Sequence, residues 1–538
     1  MKKKLINKFI IVFLVFLFSV SLRLWNLNVM GRVIDEGPQY EDGYNFIRLY
    51  LKGDFNNPYL YNHPDHPPLT KYLYGAASYL DIQNSGPKVN GLLPGEPTFN
   101  YDITYIRLVS VLFSSMTVVL VVLIAWELSP LIAVVSGVIL SSLPIFVGLS
   151  QIASIESILI FFFTATVYSF FTLLRKRNLK WIAITGILLG LALETKYTDA
   201  MLYPLLLIFY FVYFFIEERK LKKSIDIKFL LIIPISIFVY FVLWPAPWFH
   251  LGYFINWNYQ SRISSSIYSV PEVFYGKFIH VPKIYYVVMF FITTPLLSIL
   301  AFFLGSKIIS DLTSEKIKLN IFRKFNYKLP SVSSLISKSK TWLLISIIIW
   351  FCFPFLQSFY NFRQQGIRYI IQIYAPFSII SAIGIAWIIS LAKRFWQKTL
   401  IIILIILYFF IPLYLISPYY LDYYNILVGG PKNVYEKRLF MLGWWGQDLR
   451  DSGLYIKDHA KKGASVGLAV GSFVADVPPL PGLRVEMYKP NKKFDYVMVS
   501  NFNIVREGFD PSEIIGNYKL IYSTEVLGAH LVDVYQKK

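Results

Sequence analysis

Eleven apolar runs, each about long enough to cross a hydrocarbon core of roughly 30 Å, leave this 538-residue chain no ordinary water-soluble fold. They fall near 8–24, 105–126, 131–149, 155–173, 181–194, 199–216, 228–245, 284–304, 341–357, 368–391 and 398–417. Lipid offers no hydrogen bonds, so backbone that crosses it must satisfy its own N–H and C=O groups, and runs of this kind do so as helices. The expectation is a polytopic α-helical membrane protein with about 11 transmembrane helices, occupying 1–417.

The formal net charge of +20 raises the question of nucleic acid. The Lys and Arg residues, however, gather in short segments between apolar runs: MKKKLINK at the start, RKRNLK (175–180), ERKLKK (218–223), the Lys-rich 305–340 and KRFWQK (393–398). With the N-terminus in the cytoplasm, every one of these lands on the cytoplasmic face, as the positive-inside rule requires. They read as topology signals in a multi-pass cell-membrane protein surrounded by membrane lipids, with no nucleic acid partner. The odd number of spans then puts the C-terminus on the extracytoplasmic side. The pair 181–194 and 199–216, split by ETKYTD, is short, yet dropping either member sends RKRNLK or ERKLKK to the wrong face. The first apolar run is read as an uncleaved helix, because Leu22, Arg23 and Leu24 stand where a signal-peptide cleavage site would need small residues.

Cys352 is the one cysteine and lies within an expected helix, so no disulfide can staple the exposed parts and the redox compartment is left undetermined. No 20–50-residue repeat appears, and no paired Gly- or Pro-broken helices occupy matching halves as in an inverted-repeat transporter.

Three segments fall on the extracytoplasmic side: 25–104, 246–283 and about 358–368. The first is expected to hold interfacial helices at WNLNVMGR, YNFIRLYLKG and LTKYLYGAASYL; the second follows WPAPWFH and reads as a loop. Beyond 417 the apolar runs stop. Residues 418–538 alternate a helical stretch, GQDLRDSGLYIKDHAKK, with strand-like ASVGLAV, DYVMVS, YKLIYSTEV and AHLVDVYQ, which is enough chain for a separate extracytoplasmic α/β domain.

Chemistry concentrates in the first of these segments. Asp35 and Glu36 follow the first span, and HPDHPPLTKYL adds His63, Asp65, His66 and Lys71. Ionisable groups at a lipid boundary lose hydration and gain little stability, which makes such a cluster a functional hypothesis. A carboxylate beside another is made more basic, which suits removal of a proton from a hydroxyl. The bland readings are that D-E-G-P is a solvated turn and HPPL a helix entry with proline in its first turn.

Taken together, the DE pair and the later HPPLTK resemble the protein O-mannosyltransferase and lipid A aminoarabinose transferase group of GT-C glycosyltransferases (glycosyltransferase family 39-like). LPIFVGLSQIASIESILIFF (143–162), GLALETKYTDAML and RYIIQIYAPFSI are similar to further segments of that group, so the resemblance covers most of 1–417. Gln151 stands where the group usually has Arg, and Glu156 where it usually has Asp. The resemblance implies a GT-C fold and Asp35 as catalytic base, with Glu36 and Glu156 supporting it.

What it implies chemically is transfer with inversion: an acceptor hydroxyl on a protein, lipid or glycan attacks the anomeric carbon of a sugar carried on a polyprenyl phosphate. The chain has no Gly-rich phosphate loop of the kind that cradles a nucleotide. His66, Lys71, Lys196, Arg363 and Arg368 are the candidate substrate-binding residues. The four cations among them could meet the leaving phosphate, with Arg368 first. No cofactor is required; a divalent metal on Asp35, Glu36, Asp65, His63 and His66 is the alternative, but their spacing matches no metal signature. The aromatic opening of the last domain, SPYYLDYYNILVGGPKNVYEKRLFMLGWWGQDL, resembles bacterial and archaeal relatives, and Trp444 and Trp445 either stack on a sugar or pack the domain onto the membrane face. The readings from other classes are a transporter or lipid-linked sugar flippase, and a non-catalytic assembly subunit.

Overall fold

The computed structural model describes residues 2–61, 66–85, 102–218, 226–267, 271–317, 340–359 and 366–538. Among them the protein is a polytopic helical bundle with a mixed sheet domain at its C-terminus. All eleven expected segments are helical, but not all as single straight spans. Among the described residues eight helices are long and apolar enough to cross a membrane, two pairs, Pro130–Ser142 with Pro144–Gln151 and Ile227–Leu243 with Ala246–Trp257, reach that length only together across a sharp bend, and Leu179–Leu193 is shorter.

The helices in order are α1 (Lys2–Leu24), α2 (Glu36–Leu51), α3 (Leu69–Ser85), α4 (Thr104–Trp126), α5 (Pro130–Ser142), α6 (Pro144–Gln151), α7 (Ile155–Lys176) and α8 (Leu179–Leu193). They continue as α9 (Leu202–Tyr213), α10 (Ile232–Leu243), α11 (Ala246–Ile267), α12 (Tyr285–Thr293), α13 (Leu296–Ile317), α14 (Thr341–Ser358), α15 (Tyr374–Leu391) and α16 (Phe395–Ile416). Prolines account for two of the interruptions. Leu143, held extended ahead of Pro144, bends the α5–α6 pair by 63°, and Thr294 is likewise extended before Pro295. A residue preceding proline is pushed out of the helical region, and proline donates no hydrogen bond to the turn behind it. The expected span 284–304 is therefore corrected: it divides at Thr294, and the membrane-length helix runs Leu296–Thr313.

Two further expectations are corrected. WNLNVMGR forms turns rather than a helix. Just beyond it, the Gly31 N–H donates to Gln447 O (2.9 Å) and the Ile34 N–H to Trp445 O (3.2 Å), so the C-terminal domain supplies backbone partners here. The segment 246–283 is not a plain loop. It carries α11, kinked at His250, and a hairpin of β1 (Glu272–Phe274) and β2 (Lys277–Ile279) turning on Tyr275 and Gly276, both at positive φ.

The helices α2 and α3 bring the two polar motifs of the first segment together. Gly43 and Gly75 face each other at their crossing: a Cβ on Gly43 would lie 2.7 Å from Gly75 N, and one on Gly75 would strike the Gly43 carbonyl. Backbones this close tolerate only glycine. Gly75→Leu is expected to spread the pair and lower the thermal midpoint of the detergent-solubilised protein by several degrees; an unchanged midpoint would show that the crossing has room to relax.

The C-terminal domain is built on a five-stranded sheet ordered β4-β3-β5-β7-β6, with β3 (Ser465–Ala469), β4 (Arg484–Met487), β5 (Tyr496–Ser500), β6 (Tyr518–Val526) and β7 (Ala529–Lys537). β3 runs parallel to β4 and β5, and β5–β7 and β7–β6 are antiparallel. The tight β6–β7 turn uses Leu527 and Gly528, both at positive φ. Two further helices, α17 (Gly430–Glu436) and α18 (Leu449–His459), pack on the sheet.

Asp476 of this domain is paired with Arg32 at 3.0 Å, both side chains almost wholly buried. Burial pushes its carboxyl up to about 7 from 3.8, only partly offset by the Arg32 guanidinium. A carboxyl that holds its proton more tightly when folded stabilises the fold most below the unfolded value and loses that contribution as pH rises through the folded one. Asp476→Asn, which carries no titrating proton, is thus expected to gain stability relative to wild type between about pH 4 and 7 and to run level with that gain above it. Unfolding midpoints across that range check it, and a difference independent of pH would refute the assignment.

Candidate active site

Asp35 sits at the residue before α2, where its side chain makes no capping bond. Its carboxylate, 49% exposed, reaches instead to Arg368 NH1 at 3.1 Å. Arg368 lies in the short turn of helix Ile367–Ile373 that leads into α15. Its guanidinium carbon is 4.2 Å from the centre of the Trp445 ring, 5.3 Å from that of Trp444 and 5.2 Å from that of Tyr369. The two tryptophans stack with their centres 4.3 Å apart. A guanidinium against aromatic faces keeps its charge while shedding water, which strengthens whatever anion it meets. Among the described residues, the buried Arg368 Nε has no hydrogen-bond partner.

A second ion pair stands beside this one. Glu156 enters in the first turn of α7, where a helix N-terminus favours an acid, and its Oε1 lies 3.5 Å from Lys196 Nζ, both side chains buried. Lys196 sits 4.4 Å from the centre of Tyr369, the same ring that flanks Arg368. Arg368 and His66 both act electrostatically on the Glu156 carboxylate. The Leu69 N–H donates to Glu194 O at 3.1 Å, which ties the HPPLTK segment to ETKYTD. The structure thus gathers Asp35, Arg368, Glu156, Lys196 and His66 from five separated stretches of chain.

Glu36 faces elsewhere. It is fully buried, and each oxygen accepts two hydrogen bonds: Oε1 from Arg107 Nε (2.8 Å) and the Ala153 N–H (2.8 Å), Oε2 from Arg107 NH2 (2.7 Å) and the Val33 N–H (3.0 Å). A carboxylate so occupied has no lone pair disposed to take a substrate proton. Its place is in support of Asp35, as a rivet between the first loop, α4 and the α6–α7 connection. Arg107 completes the rivet by donating to the carbonyls of Leu27, Met30 and Gly31. Sequence reasoning assigned Arg107 no role; the available signal was a lone Arg, TYIR, in the first turn of an otherwise apolar helix.

Lys71 lies 3.7 Å from Asp42 and 4.8 Å from the centre of the Phe46 ring, both on α2. Gln151 donates to the carbonyls of Arg23 and Trp25, pinning the end of α1. Arg363, His63 and Asp65 lie outside the described residues. Among the described residues no group of three or more His, Cys, Asp or Glu is placed to hold a metal ion.

The reach of Trp445 changes how the last domain is best probed. Deleting 430–538 would strip the aromatic wall from Arg368 as well as remove any acceptor contact. Because Trp445 is buried in the core, Trp445→Phe is the cleaner variant, expected to keep the packing while weakening the hold of an anion at Arg368 several-fold; anion titration and far-UV circular dichroism measure both, and unaltered binding would remove Trp445 from the site.

Comparison with known proteins adds the following. Residues 12–251 match the family described as dolichyl-phosphate-mannose-protein mannosyltransferase. No curated protein sequence matches significantly. Among solved structures, the Saccharomyces cerevisiae protein O-mannosyltransferase Pmt1-Pmt2 complex bound to the sugar donor is 22% identical, with a TM-score of 0.34. The match covers 47% of this chain and 34% of that one, so this chain spans about a third of its length. ArnT from Cupriavidus metallidurans in the apo state is 12% identical with a TM-score of 0.49, covering 97% of both chains. The Archaeoglobus fulgidus oligosaccharyltransferase tethered with an acceptor peptide is 12% identical with a TM-score of 0.49, covering 99% of this chain and 74% of that one.

Proposed function

Because residues 12–251 carry a GT-C, family 39-like domain of the dolichyl-phosphate-mannose-protein mannosyltransferase family, we propose that the protein is an inverting glycosyltransferase that takes a sugar from a polyprenyl phosphate. The acceptor is a hydroxyl on a protein, lipid or glycan at the membrane face that bears the C-terminal domain, read as the extracytoplasmic face with the N-terminus in the cytoplasm. The observation that supports this reading is the 3.1 Å contact between Asp35 and Arg368: a carboxylate suited to act as base stands beside a guanidinium suited to meet a phosphate.

In the reaction the acceptor oxygen attacks the anomeric carbon as its proton passes to an Asp35 carboxylate oxygen. The bond from that carbon to the phosphate oxygen breaks, the phosphate keeps the electron pair, and the configuration inverts. Arg368 receives the charge that develops on the phosphate, in a setting where aromatic rings exclude water and a fixed cation acts strongly. Its buried, unpartnered Nε is a donor available to a phosphate oxygen. An incoming phosphate competes with Asp35 for the guanidinium, so donor binding releases the base. Glu156 and Lys196 hold the adjoining wall.

A transporter reading gains no support, since the buried Glu36–Arg107 and Glu156–Lys196 pairs sit at the first turns of α4 and α7 rather than at mid-span. The test is incubation of the purified protein with dolichyl-phosphate-mannose and other radiolabelled polyprenyl-phosphate sugars in detergent. Release or transfer of label is expected from at least one of them; a protein that processes none is not this enzyme.

A further inference from the structure

Away from the Asp35–Arg368 contact, a cavity of about 370 Å³ opens between the two parts of the molecule. One wall is α18 and the proline segment Pro478–Pro481; the other is the residues just after α1 and the start of α4. Such a volume is in the range of small-molecule sites, and interdomain clefts are where those sites gather. Arg450, Leu454 and Lys457 face it from α18, at the i, i+4, i+7 spacing that forms one stripe of a helix.

The described lining carries four basic residues, Arg32, Arg107, Arg450 and Lys457, against one acid, Asp102. Three of the four are fixed by other contacts: Arg107 by Glu36, Arg32 by Asp476, and Arg450 by the Val29 carbonyl and Asp451. Arg32 and Arg107 form a rigid, buried frame whose charge Asp476 and Glu36 offset, so the charge open to a ligand is that of Lys457, exposed at the edge, with the half-buried Arg450 on the same stripe. The floor lies where α1 has just ended and α4 begins, which is headgroup height. Trp25, Tyr105 and Leu108 next to it expose large apolar faces outward, as lipid-facing side chains do.

We propose that this cleft binds the phosphate headgroup of an anionic membrane lipid, whose chains lie along α1 and α4. An exposed lysine set at the headgroup level beside lipid-facing helices fits a phosphate that arrives with acyl chains better than one that diffuses in from water. The bound lipid bridges the C-terminal domain to the bundle. Its floor residue Arg107 is also the partner of Glu36, so occupancy braces the loop that carries Asp35.

The test uses the full chain in neutral detergent, titrated separately with phosphatidylglycerol, phosphatidylcholine and inorganic phosphate, with native mass spectrometry and the thermal midpoint as readouts. Phosphatidylglycerol is expected to bind saturably and raise the midpoint, and phosphatidylcholine to do neither. Lys457→Ala should weaken phosphatidylglycerol about fivefold, the effect of one cation at an anionic headgroup, and Lys457→Glu more. Lys519→Glu, a charge reversal on β6 of the same domain, should leave it unchanged. Equal binding of the two lipids, or Lys457 variants that bind as wild type does, overturns the proposal. Inorganic phosphate reproducing the whole effect with the same Lys457 dependence overturns the lipid assignment and makes this a free-anion site.

Discussion

Asp35→Asn yields a folded protein whose transfer rate falls about 10²- to 10⁴-fold, the usual contribution of a positioned general base. The fold survives because Asp35 is half exposed, caps nothing with its side chain, and pairs with Arg368 at the surface of the site. An amide of the same shape can still accept from the guanidinium, so the aromatic wall around Arg368 stays in place. What disappears is the ability to carry away the hydroxyl proton as the new bond forms. Donor affinity is therefore expected to hold steady or rise, since the carboxylate no longer competes with the phosphate for Arg368. The measurement is single-turnover transfer of label from a polyprenyl-phosphate sugar, run beside donor titration. Glu156→Gln makes the informative comparison: its carboxylate pairs with Lys196, so its loss should weaken donor binding more than it slows the chemical step. If Asp35→Asn turns over as fast as wild type, the base lies elsewhere and the enzyme reading stands on its other residues.

How much of this was legible in the sequence depends on how local each signal is. The long spans were readable because hydropathy and the helix repeat act over neighbouring residues, as in Thr104–Trp126 and Phe395–Ile416. Four of the five strands of the C-terminal sheet were readable from alternation and turns. β4 was not, because its burial pattern is half exposed and carries little apolar signal. The break before Pro295 had a visible cause but shifted a span that hydropathy alone ran together. The candidate site divides along the same line. Asp35, Glu156, Lys196 and Arg368 were singled out from motifs, whereas their grouping depends on contacts between residues far apart in the chain. The position of Trp445 against Arg368 and of Arg107 against Glu36 belongs wholly to that second kind. No periodicity reports a guanidinium that satisfies a carboxylate 71 residues earlier.

Arg107→Met is expected to be the most destabilising single change in this region, at about 3–5 kcal/mol, because it leaves a buried carboxylate without its cation. Glu36 is wholly buried and receives half of its hydrogen bonds from Arg107. The same guanidinium satisfies three carbonyls of the chain between α1 and α2. Arg107→Lys should recover little, since an ammonium group is a point donor and cannot bridge both carboxylate oxygens and three carbonyls at once. Changing Glu36→Gln together with Arg107→Met removes the stranded charge, so the double variant should be more stable than Arg107→Met alone. Denaturant unfolding in mixed micelles measures the cycle. A double variant no better than the single would mean that the three carbonyls, rather than the ion pair, dominate the rivet. Either way the loop holding Asp35 loosens, so transfer should fall even where the protein remains folded, whereas phosphate binding at Arg368, anchored in the helix that leads into α15, should fall less.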